Sequence, residues 1–150
     1  MYGSADELGY EGPNPCRGVK KFKEASRDRY LQPGELRPFF AALAEEEPIW
    51  RDFFLLCLFT GARRGNVAAM RWDDIDIEGG LWRLPAEETK GAEPIVVVLP
   101  EPAVRVLQSR QEAAENSPWV FPAPSAAGHV VDPRKAWERV RKASGLGVDG

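Results

Sequence analysis

Residues 60–67 read Thr-Gly-Ala-Arg-Arg-Gly-Asn-Val and set two guanidinium groups, Arg63 and Arg64, where a short helix is expected to begin. Local electrostatics oppose that placement. The start of a helix already carries partial positive charge and unpaired N–H groups, so a cation there costs roughly 0.3–1 kcal/mol at an exposed site. An anion reverses the sign, because backbone N–H groups and a bidentate arginine together make a phosphate site. The competing reading pairs one arginine with Asp73, Asp74 or Asp76 and leaves the other solvated. Those carboxylates could themselves hold a hard cation for phosphodiester hydrolysis. Acidic residues between a helix and a strand more often cap, turn or pair with an arginine, so no metal site is expected. Lys90, within Glu87-Glu88-Thr89-Lys90-Gly91-Ala92-Glu93, falls between two predicted strands, where a lysine is ordinarily solvated. Cys16 and Cys57 have neither metal-ligand spacing nor the density of a disulfide scaffold and read as plain thiols. His129, in a Gly-containing loop, reads as a surface residue.

The elements that would hold these groups follow from periodicity and punctuation. A helix is expected from Pro33, since proline suits the first helical position and Leu36, Phe39, Phe40 and Leu43 recur at i, i+3, i+4 and i+7 as one buried stripe. Pro38 forfeits a backbone hydrogen bond inside it. A second helix follows Pro48, with Ile49, Phe53 and Leu56 among Leu55, Leu58 and Phe59, apolar on most sides and so destined for the core. Gly61 interrupts it, and a third helix is expected over 64–71 with Val67 and Met70 facing inward. The pattern then turns to short β-type runs at 75–77, 81–84 and 95–99, with a Gly79-Gly80 turn, which predicts a small three-stranded antiparallel sheet. Pro102, Val104 and Leu107 open another helix. A brief apolar run at 119–121 precedes a last helix capped by Asp132, with Pro133 at its first position, Ala136, Val140 and Ala143 on its inner face and Gly145 as its stop. Trp72, Trp82 and Trp137 read as core anchors. The fold class is α+β, mainly helical.

With 150 residues and 43% hydrophobic content, the chain can bury one sizeable core. The longest apolar stretch, 53–59, is far short of the roughly 20 residues a membrane span needs, and the N-terminus has no signal pattern, so no membrane partner and a cytoplasmic location are expected. A net charge of −3 argues against the simplest nucleic-acid signature, a strongly basic domain. The charge is uneven, however. Within residues 14–29, six basic side chains (Arg17, Lys20, Lys21, Lys23, Arg27 and Arg29) face two acidic ones, Glu24 and Asp28. Such a segment can follow a phosphate backbone, although a solvated linker has the same composition. Three regions are expected: residues 1–13, mobile or tag-like; 14–29, a basic interdomain linker; and 30–150, the folded domain.

Thr60-Gly61-Ala62-Arg63, followed by Met70-Arg71-Trp72-Asp73-Asp74-Ile75-Asp76, resembles the first arginine box of the tyrosine recombinases, the phage integrase family. The predicted helix 31–43 before it and the strands after it fall in that family's order. The resemblance implies that residues 30–150 are the opening half of a catalytic domain. It implies that Arg63 grips the scissile phosphate and that Lys90 is the general acid toward the leaving 5′ oxygen, a role suited to a flexible protonated amine. Arg17, Lys20, Lys21, Lys23 and Arg64 are the expected DNA contacts. Asn66 departs from the pattern, because many members carry a carboxylate there to brace the arginine.

The family continues into a His-x-x-Arg box and a nucleophilic tyrosine near its C-terminal end. Here His129 has Asp132 three residues on, and Tyr2, Tyr10 and Tyr30 all precede Arg63, so none is assigned as the nucleophile. The expectation is a fragment of a site-specific recombinase, truncated and inactive alone. Its parent would break and rejoin double-stranded DNA through a phosphotyrosine intermediate, without cofactor or metal. Its other partners would be recombinase protomers in a synaptic complex, and its setting bacterial or phage-derived and nucleoid-associated. Two alternatives stand beside it, a non-catalytic DNA-binding remnant and an unrelated α+β protein-interaction module.

Overall fold

The computed structural model of the protein describes residues 30–85, 94–112 and 116–146. The chain divides into two units, Met1–Tyr30 and Leu31–Gly150, and every helix and strand of the described residues lies in the second. The expected regions 1–13 and 14–29 fall outside the described residues.

Helix α1 (Pro33–Ala44) starts where proline directs it, and the Gln32 N–H donates to Glu35 Oε2 at 2.8 Å, closing the first turn. It runs through Pro38. Only part of the expected stripe is buried: Phe39 and Leu43 pack with Val140 and Leu146, whereas Leu36 and Phe40 are 38% and 39% exposed. The last helix covers one edge of α1 and leaves the other open.

Helix α2 (Pro48–Thr60) sends Phe53 and Leu56 into the main core, with Val67, Met70, Trp82, Leu107 and Phe121. Burying a side chain such as Phe53 contributes about 1.5–3 kcal/mol. Helix α3 (Arg64–Ala68) is shorter than the expected 64–71. The chain leaves it to pair with the segment around Trp119: the Val120 N–H donates to the Met70 carbonyl at 2.9 Å and the Trp72 N–H to the Pro118 carbonyl at 3.1 Å. Val67 and Met70 are nevertheless fully buried, as their spacing required.

The sheet is antiparallel with β1 (Ile75–Asp76), β2 (Leu81–Leu84) and β3 (Ile95–Val98) in sequence order. Trp82 faces Ile75 on one side and Val97 on the other, which directs Trp82 and Leu84 into the core. Helix α4 (Glu101–Glu112) closes the core through Ala103 and Leu107. Helix α5 begins one residue later than expected (Arg134–Ala143), so Pro133, not Asp132, is its N-cap residue; Asp132, one position before the cap, accepts the Arg134 N–H at 3.1 Å. Its inner face is Ala136 and Val140; Ala143 is exposed. Gly145, at φ +66°, stops it.

Of the three tryptophans expected as anchors, only Trp82 is fully buried; Trp137 is 39% exposed and Trp72 half-buried. The Trp72 indole N–H has no acceptor among the described residues. Among those residues, no helix is long and apolar enough to cross a membrane.

Candidate functional site

A tight turn between α2 and α3 sets the position of Arg63. The Thr60 hydroxyl donates to the Leu56 carbonyl at 2.6 Å and accepts the Ala62 N–H at 3.2 Å, tying the end of α2 to the chain that leaves it. Gly61 takes the left-handed conformation (φ 62°, ψ 10°), and its N–H closes on the Cys57 carbonyl at 3.1 Å. A side chain there would be strained, so glycine suits the bend. Arg63 comes next in extended conformation, and its carbonyl accepts the N–H groups of Asn66 at 2.9 Å and Val67 at 3.1 Å. Val67, buried behind it, anchors the turn in the core.

The backbone of Arg63 is therefore fixed while its side chain is exposed, and among the described residues it makes no ion pair or hydrogen bond. Two of the three carboxylates that might have neutralised it engage other residues. Asp73 lies 3.9 Å from Arg71; Asp76 lies 4.0 Å from Arg83 and accepts the Gly79 N–H at 2.8 Å. Asn66 is half-buried, and among the described residues it bonds to Arg63 only through its backbone N–H, not through its side chain. Among the described residues, no three His, Cys, Asp or Glu side chains gather to hold a metal ion.

Arg64 points into different surroundings. It lines a cleft of about 300 Å³ with Phe53, Phe54, Cys57, Arg134 and Trp137. Burial pushes the Cys57 thiol up to about 11, against the opposing charge of Arg64. Across the cleft, Arg134 binds Asp132 through both oxygens at 2.7–2.9 Å, which holds that carboxyl down at about 2, with a small further pull from Arg64. The starts of α3 and α5 thus meet at one rim. The second of these helix starts is expected from the sequence, yet none of its cations is among the expected site residues, although residues 134–142 hold five cations and one carboxylate.

His129 is less superficial than expected. It is half-buried, its ring 4.6 Å from that of Trp119, with Nδ1 2.7 Å from the Val130 carbonyl. Lys90 and the basic residues Arg17, Lys20, Lys21 and Lys23 lie outside the described residues, so of the expected site only Arg63 and Arg64 are placed.

Residues 29–148 match the model of the phage integrase family. The chain is 30% identical over 114 residues to the prophage integrase IntF of Escherichia coli (strain K12), covering 75% of this chain and 24% of that protein. It is 36% identical over 96 residues to the shufflon-specific DNA recombinase of Escherichia coli, covering 63% of this chain and 24% of that protein. The chain thus spans about a quarter of the length of these curated relatives. Its fold is similar to that of a lambda integrase (75–356) dimer bound to a COC′ core site (TM-score 0.71, 20% identity), covering 99% of this chain and 56% of that one. It is also similar to XerA recombinase (TM-score 0.58, 18% identity), covering 78% of this chain and 43% of that one.

Proposed function

The chain belongs to the phage integrase family, and we propose that it supplies the phosphate-gripping part of a site-specific DNA recombinase, with Arg63 as the residue that holds the scissile phosphodiester. The observation that carries this reading is the contrast within one residue: a backbone locked by Thr60, Gly61 and Val67, and a guanidinium with no partner among the described residues. A fork of N–H donors in that state can take two phosphate oxygens at once and stabilise the charge that develops on them during transfer.

In the reaction proposed, a tyrosine hydroxyl gives its proton to solvent as its oxygen attacks the phosphorus, a 3′-phosphotyrosine bond forms and the bond to the 5′ oxygen breaks. Lys90, as an ammonium group, gives that departing oxygen its proton. The reverse sequence rejoins the strand. Positioning and charge stabilisation are the main demands of such a transfer. No tyrosine of this chain is assigned to the attack, so the activity proposed for the chain by itself is binding. Double-stranded DNA is the proposed partner, with Arg17, Lys20, Lys21, Lys23 and Arg64 as further contacts and other recombinase protomers joining on the DNA. In support, a lambda integrase with a similar fold was solved as a dimer bound to a core site.

The test is a salt titration of duplex binding. Arg63→Ala should weaken affinity at least tenfold, in line with about 1.5–3 kcal/mol for a hydrogen bond to a charged group, with thermal unfolding unchanged. Equal affinity in a folded variant overturns the assignment. In a recombinase that contains this segment, Lys90→Ala should slow cleavage more than it weakens binding.

A further inference from the structure

Asp52 is a buried carboxylate in the apolar middle of α2, next to Phe53. Both of its oxygens are taken. Arg51 Nε donates to Oδ1 at 2.8 Å, and Arg110 Nη1, from α4, donates to Oδ2 at 3.2 Å. The same Arg110 guanidinium donates through Nε to the Val120 carbonyl at 2.9 Å and lies over the Phe121 ring, 4.7 Å from its centre. Phe121 in turn meets Phe53 edge to face at 5.5 Å.

Stability alone does not account for this pair. Taking two charges out of water costs about as much as their attraction returns, and a well-packed apolar pair of similar volume is often as stable or more so. What an apolar pair lacks is direction. A guanidinium presents its donors in one rigid plane, so Arg110 fixes Val120 at a set distance and angle from α2. From Val120 a run of backbone hydrogen bonds leads to the arginine turn. The Val120 N–H donates to the Met70 carbonyl at 2.9 Å, the Met70 N–H to the Val67 carbonyl at 3.3 Å, and the Val67 N–H to the Arg63 carbonyl at 3.1 Å. With five residues, α3 is too short to hold by itself. Its start is tied to α2 through Thr60 and Gly61, and its end is tied to α2 through Val120 and Arg110.

We propose that Arg110, held by Asp52, is a positioning residue for Arg63: through Val120 and Met70 it sets the end of α3, and thereby the direction in which the Arg63 guanidinium meets a phosphate. This role rests on the Arg63 reading above and deepens it.

The experiment measures duplex affinity for the chain carrying Asp52→Leu together with Arg110→Met, two substitutions that leave the net charge unchanged. The variant should fold, and its affinity should fall by about fivefold, part of the loss expected for Arg63→Ala. In an Arg63→Ala background the same two substitutions should change affinity by less than about twofold, because a residue that acts through Arg63 then has nothing to position. Equal losses in both backgrounds would mean that the pair supports the fold in general, and overturn the proposal. Unsubstituted affinity in the folded double variant, alongside weakened binding by Arg63→Ala, also overturns it and spares the Arg63 assignment. Unchanged affinity in folded Arg63→Ala overturns both. If the double variant does not fold, Arg110→Lys decides: it keeps a cation beside Asp52 without the planar fork that also reaches Val120. Lowered affinity confined to the background with Arg63 intact supports the role, and unsubstituted affinity overturns it.

Discussion

A guanidinium can hold a DNA phosphate only if no carboxylate of its own chain has already neutralised it, and at Arg63 no carboxylate among the described residues does so. Asp73 and Asp76 lie close in sequence yet engage Arg71 and Arg83, which sequence alone left open. The pair of arginines was legible from residue type; their division of labour was not, because only the packing of α3 sends Arg64 to the cleft and leaves Arg63 in solvent. Cys57 gives this packing a chemical readout. Its thiol, raised by burial to about 11, is ionised in only about one molecule in ten thousand at pH 7. Alkylation by iodoacetamide at neutral pH should therefore be at least tenfold slower at Cys57 in the folded protein than in the urea-unfolded chain, as followed by peptide mass analysis. Equal rates would show that the Phe53–Trp137 cleft does not shield it.

At the scale of the elements, the short helix α3 has no stability of its own and depends on the turn before it. Gly61 was legible as a helix stop, and the structure adds that its φ of +62° lies where a Cβ is strained although no atom lies within 4 Å of one. Gly61→Ala should destabilise the protein by about 1–2 kcal/mol in urea unfolding and weaken DNA binding by moving Arg63. Gly65, four residues on, has equally open space, a helical position and no positive φ. Gly65→Ala should accordingly raise stability by about 0.4–1 kcal/mol. The opposite signs separate backbone strain from crowding, and a stabilising Gly61→Ala would contradict the left-handed turn. The expected end of α3 at residue 71 failed for a reason outside its own sequence: the segment from Met70 to Trp72 bonds to residues 118–120, and a non-local pairing overrides a local period.

Across the whole molecule, the helix order and the three-stranded sheet followed from periodicity, whereas the ion pairs that join distant elements carry no local signal. Asp52, 5% exposed in the middle of apolar α2, binds Arg110 at 3.2 Å across 58 residues, and Arg110 also donates to the Val120 carbonyl at 2.9 Å. Glu46, at the α1–α2 corner, binds Arg139 of α5 across 93 residues and so ties the first helix pair to the last helix. Its hydrogen bonds from Arg139 hold the Glu46 carboxyl below its ordinary value of 4.5. The unfolded chain therefore takes up a proton at a higher pH than the folded protein does. The stabilisation is fully present above about pH 4.5 and is lost as pH falls through the lower, folded value. Arg139→Gln should thus lower the melting temperature at pH 6–7, and the difference from the unsubstituted protein should shrink as the pH is taken toward 3. A difference that is constant across that range would mean that Arg139 acts by packing against α1 and not through the charge of Glu46.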